Sequence, residues 1–82
     1  MSVVIDLSTL FVETAKVADL PRYEAAVHLQ AGAGEDVVLT GQAPIWMYLR
    51  LAHALHGRAG RLSYRSPALT GGDIVIFDHN PY

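Results

Sequence analysis

The chain opens with two short apolar runs, Val3-Val4-Ile5 and Leu10-Phe11-Val12, separated by Asp6, Ser8 and Thr9. Polar residues of that kind suit a turn, so the pattern predicts a hairpin or one bent strand. Asp19 before Leu20-Pro21 has the form of a helix N-cap followed by a proline in the first turn, where the missing N–H costs nothing. Leu20, Tyr23, Ala26, Val27 and Gln30 then keep helical spacing until Gly32 and Gly34 stop it, which predicts a helix over about 20–31. Asp36-Val37-Val38-Leu39-Thr40 reads as a buried central strand ending at Gly41. Gly41-Gln42-Ala43-Pro44 leads into Ile45 through His56, rich in helix formers and closed by Gly57. The apolar positions of that second helix occupy more than one face, which predicts burial on the sheet and against a partner. Leu62–Arg65 and Asp73–Phe77 read as two strands joined by residues 66–72. The element order ββαβαββ argues for an α/β fold, a compact mixed-sheet sandwich formed by residues 1–82 as one domain.

Composition changes this picture in one respect. At 82 residues, 51% of them hydrophobic, with mean hydropathy +0.24, the chain is short for a self-sufficient core and rich in apolar surface, so a homodimer is expected. No cysteine is present, which excludes a disulfide framework and thiolate metal sites. No apolar run approaches the roughly 18 residues that span a bilayer, and no export signal opens the chain, so a cytoplasmic location and no membrane contact are expected.

Charge is divided unevenly. Residues 1–40 carry Lys16 and Arg22 against six carboxylates, a balance of -4; residues 41–82 carry Arg50, Arg58, Arg61 and Arg65 against Asp73 and Asp78, a balance of +2. An anionic ligand should therefore prefer the second half, although scattered, solvated arginines would give the same balance. A chain that is acidic overall and poor in lysine lacks the broad basic surface of a general nucleic-acid binder.

Candidate chemistry lies in that second half. Gly41-Gln42 sits where a strand ends and a helix begins, a place where unpaired backbone N–H groups can hold phosphate oxygens; a plain strand-to-helix connection would look the same. His53 and His56, three residues apart, would lie on one side of a helix, as metal ligands, as proton carriers, or as a packed residue and a partner of the helix dipole. His79 at the end of the last strand, with Arg65 and Ser66 beside the preceding loop, would converge with the turn on one ligand cleft, Arg65 gripping a phosphate through its two-pronged guanidinium.

Gly41-Gln42-Ala43-Pro44-Ile45-Trp46, followed by Leu51-Ala52-His53 and then His56, resembles the family-three CRISPR ring nucleases, with their Gly-x-x-Pro-Ile-Trp turn, Leu-Ala-His helix, Tyr-Asp-Pro-Arg segment and final Ser-His. The similarity runs from about Asp36 to His79. It implies a dimeric, distantly Rossmann-like domain that binds a cyclic oligoadenylate, the cyclic tetra-adenylate messenger of type III CRISPR defence, and in active members cleaves it with manganese. Carried over, Gly41 and Gln42 correspond to the ligand-binding turn, His56 to the active-site histidine and His79 to the terminal one. The family's Tyr-Asp-Pro-Arg stands here as Tyr64-Arg65-Ser66-Pro67-Ala68, so its aspartate and arginine are out of register. Asp73 or Asp78 is the remaining carboxylate candidate, with His56 and Asp73 as the expected manganese pair, since hard cations prefer oxygen ligands. The missing aspartate equally favours a module that sequesters the messenger or docks on a larger effector without cleaving. A bare oligomerisation domain is the third reading.

Overall fold

The computed structural model describes residues 2–67 and 72–80. Strand β1 (Ser2–Asp6) leads through short 3-10 turns into helix α1 (Leu20–Ala31), then β2 (Asp36–Thr40), helix α2 (Ile45–Leu55), β3 (Arg61–Tyr64) and β4 (Ile74–Asp78). The four strands form one mixed sheet in the order β1-β2-β3-β4, parallel through β3, with β4 antiparallel at the edge. The α/β class is as the sequence predicted. The Ala68-Leu69-Thr70-Gly71 stretch of the expected hairpin loop lies outside the described residues.

Each crossover returns the chain to a parallel neighbour, and two successive right-handed crossovers along one direction of the sheet place both helices on the same face. The helices accordingly pack on each other. Side-chain alternation sorts the strands around them: Ile5, Val37, Leu39 and Leu62 enter the core with Tyr23 and Val27 of α1 and with Met47, Leu51 and Leu55 of α2. Val38 and Ser63 point to the other face and lie outside that core.

The opening hairpin does not form. Leu10-Phe11-Val12 is no strand, and among the described residues β1 pairs with β2 alone. Asp6 accounts for the difference. Its carboxylate accepts from the Ser8 amide (2.9 Å) and the Ser8 hydroxyl (2.6 Å), while the Asp6 carbonyl accepts from the Thr9 hydroxyl (2.6 Å), curling the chain into a 3-10 turn at Leu7–Leu10. The observed order is therefore βαβαββ. Asp19 stands at the start of α1 but makes no capping bond; its carboxylate lies 3.6 Å from Arg22 instead.

Four strands outnumber two helices, and the consequence shows beside α2. A groove of about 260 Å³ between α2 and the β3–β4 hairpin is lined by Ile45, Tyr48, Leu49, Ala52, Tyr64 and Ile76, among others. Ile45 is 79% exposed and Leu49 67%. Helix α2 thus has one ridge (Met47, Leu51, Leu55) in the core and a second apolar ridge facing outward, as its pattern predicted.

Candidate functional site

Topology divides the candidate residues between opposite edges of the sheet. Gly41, Gln42, Arg65, Ser66 and Asp73 follow the carboxyl ends of β2 and β3 or precede β4, so they share one edge. Helix α2 runs back antiparallel to the strands, so His56 emerges at the other edge; β4 is antiparallel too, and delivers His79 there. The expected convergence of His79 with the Gly41 turn is thereby overturned. Asp73 to His79 is six residue steps, about 20 Å of extended chain.

At the carboxyl edge the Gly41 turn is closely held. Gly41 has φ +108°, and a Cβ there would lie 2.0 Å from Asp6 Oδ1 and 3.1 Å from the Leu7 amide, so only glycine fits. The Tyr48 hydroxyl, one turn into α2, donates to the Gly41 carbonyl at 2.5 Å. Burial, with smaller effects from Tyr64 and Asp6, pushes the Tyr48 phenol up to about 12, so it stays a donor. Tyr64 meets Tyr48 edge-on, ring centres 5.1 Å apart.

Arg65 is pinned beside that turn. Its amide donates to the Leu39 carbonyl (2.9 Å) and its carbonyl accepts from the Thr40 hydroxyl (2.7 Å). Its guanidinium is engaged by Asp73 in a two-pronged pair, Nε to Oδ1 at 2.7 Å and Nη2 to Oδ2 at 3.1 Å. The hydrogen bonds from Arg65 hold the Asp73 carboxyl below the usual carboxylate range, and Asp73 raises Arg65 in return. The fork assigned to a phosphate is occupied by a carboxylate of the same chain.

The other edge holds the histidines. His56 is the C-cap residue of α2: its amide still donates to the His53 carbonyl (3.1 Å) and its φ of -64° is helical, while ψ of 125° turns the chain out of the helix after it. Its ring meets His79 edge-on at 4.9 Å between centres and Phe77 at 5.3 Å, and Phe77 lies 4.9 Å from His79. The turn between α2 and β3 sets this geometry: the Gly34 amide donates to the Arg58 carbonyl (2.8 Å), the Gly60 amide to the Glu35 carbonyl (2.9 Å), and the His79 amide to the Gly60 carbonyl (2.7 Å). These bonds clasp β4's end to β2's beginning around an open cleft of about 700 Å³, lined by His56, Arg58, Gly57, Gly60, Gly34 and His79, among others.

A manganese ion shared by His56 and Asp73 does not fit one chain, because the two stand at opposite edges and both Asp73 oxygens serve Arg65. Among the described residues no group of three or more histidines and carboxylates is placed to hold a metal.

Sequence reasoning missed Arg58, Tyr48 and Asp6. Arg58 stands between Gly57 and Ala59-Gly60, a turn composition that could have marked it; the bond of Tyr48 to Gly41 and the approach of Asp6 to it depend on sheet order and carry no local signal.

The molecule is thus a two-layer α/β domain with a histidine pair in a glycine-lined cleft at the amino edge of its parallel strands. The chain belongs to the CRISPR-associated protein family Cas_csx3, whose family model matches residues 10–82. No curated protein and no solved structure matches the chain. No helix among the described residues is long and apolar enough to cross a membrane.

Proposed function

We propose that this protein binds a cyclic oligoadenylate, cyclic tetra-adenylate in the first instance, with the histidine cleft receiving a phosphate and its neighbouring ribose. The observation that carries the reading is the His56–His79 pair: two residues 23 positions apart, both singled out by the resemblance, meet at 4.9 Å in an open cleft. Membership of a CRISPR-associated family supports the setting.

Two imidazoles beside one phosphodiester suit ring opening by the substrate's own ribose. One accepts the 2′-hydroxyl proton as its oxygen bonds to phosphorus; the other donates a proton to the 5′-oxygen as the phosphorus–oxygen bond breaks, leaving a 2′,3′-cyclic phosphate and a free 5′-hydroxyl. His56 is the candidate base and His79 the candidate acid.

A second reading, binding without turnover, is favoured by one observation: Asp73, the carboxylate expected to pair with His56 on a metal, is committed to Arg65. In either reading the outward ridge Ile45–Leu49 and the groove beside it form the homodimer surface, because a two-fold axis lets each α2 fill the slot the other sheet leaves uncovered.

The test is a thermal shift with cyclic tetra-adenylate, its linear form and a cyclic hexamer, with and without manganese, followed by product analysis and repeated on His56→Ala. Stabilisation by a ring with linear products establishes cleavage; stabilisation without products establishes a sequestering module. Absence of a shift with every ring refutes the reading. Sedimentation equilibrium of Leu49→Lys tests the dimer surface, and an unchanged mass would exclude it.

A further inference from the structure

The second half carries four arginines, of which the sequence singles out Arg65 as the cationic contact. Their surroundings differ. Arg65 is neutralised by Asp73 in the bond pattern a phosphate would take, and Asp6 adds another carboxylate to that edge. At the opposite edge the acidic groups have neighbours of their own: Asp36 accepts from the Asn80 side chain (3.3 Å), Asp78 accepts from the Asn80 amide (3.0 Å) and stands in register with Arg61, and Glu35 is engaged elsewhere. Arg58 lines the histidine cleft, is exposed, and has no carboxylate within ion-pair distance among the described residues. Its backbone is fixed at both ends, the amide donating to the Leu55 carbonyl (3.0 Å) and the carbonyl accepting from Gly34 (2.8 Å), so its side chain is carried on a rigid stem beside His56.

We propose that Arg58 is the phosphate-binding cation of this protein, acting with His56 and His79, and that Arg65 with Asp73 is a strap closing the β3–β4 hairpin. This rests on the reading of the cleft as an anion site, but it assigns a contact that the resemblance does not carry over. An unpaired guanidinium offers its donors at no cost, whereas Arg65 must first release a carboxylate held by two charge-assisted bonds. Arg58 binds and orients the phosphate; it takes no part in proton transfer.

The experiment titrates the full chain with inorganic phosphate and with pyrophosphate, against chloride at matched ionic strength, following the ring resonances of His56 and His79 by NMR. Saturable shifts of both rings are expected in the wild type. Arg58→Gln should weaken binding about tenfold, the loss of one charge-assisted contact at an open site, with Arg58→Lys recovering part of it. Arg65→Gln should titrate as the wild type. Thermal melts show that each variant is folded, which the exposure of both side chains leads one to expect. The proposal is overturned if phosphate leaves the histidines unmoved, if Arg58→Gln binds normally, or if Arg65→Gln carries the loss. Cyclic tetra-adenylate added last separates the two readings: an Arg58-dependent phosphate site that the ring does not occupy upholds Arg58 and refutes the messenger.

Discussion

Gly60 is where fold and cleft depend on the same few ångströms. Its amide and carbonyl link β2's approach to His79, and a Cβ built on it would lie 2.5 Å from Asn80 Oδ1 and 2.9 Å from the Gly34 carbonyl. In Gly60→Ala the Asn80 side chain can rotate away, at the cost of its 3.3 Å bond to Asp36. The Gly34 carbonyl cannot, because its residue is tied through its own amide to Arg58. The clasp must open by several tenths of an ångström, stretching the Gly60-to-Glu35 and His79-to-Gly60 bonds. Backbone overpacking of this kind costs about 1–3 kcal/mol, and each kcal/mol lowers the Tm of a domain this size by roughly 4–8 °C. Urea denaturation followed by circular dichroism measures the first effect. Cross-relaxation between the His56 and His79 rings measures the second, and it should weaken as β4's end moves off. A variant of unchanged stability with the ring contact intact would refute the argument that this turn holds the histidine pair.

Leu51→Ala removes a fully buried side chain at the centre of α2's core ridge and should cost about 2–5 kcal/mol by denaturant titration, without altering the edge residues. Tyr48→Phe removes the bond to the Gly41 carbonyl. Because the folded phenol is raised to about 12, its stabilisation is complete below pH 10 and is lost as pH rises through 12, so the alkaline limb of the wild-type stability curve should flatten in the variant. Asp73 behaves with the opposite sign: its folded carboxyl is lowered, so its contribution is present above the usual carboxylate range and fades as pH falls through the depressed value. Asp73→Asn should remove that acid-limb dependence and raise Arg65 mobility in NMR relaxation, and an unchanged acid limb would count against the pair.

Much of the fold was legible because its determinants are short-range. Pro21 and Gly32 bracket α1, the alternation of Val37 and Leu39 marks a core strand, and the two apolar ridges of α2 follow from residues three and four apart. The opening hairpin failed for an equally local reason, the carboxylate of Asp6 competing for the chain, but apolar runs on either side concealed it.

The site obeys other rules. Which residues share an edge depends on strand direction, and a strand's sequence does not say whether it runs parallel or antiparallel to its neighbour. Residue types in the second half predicted cationic and histidine chemistry, and the resemblance singled out His56 and His79. The expected hairpin already implied an antiparallel β4; only the tertiary structure placed its end against the end of α2, bringing His79 to His56 and leaving both far from Gly41, Arg65 and Asp73. It also decided which arginine is spent on a carboxylate and which has none in reach among the described residues, because an ion pair forms wherever folding places two opposite charges within reach, whatever their separation along the chain.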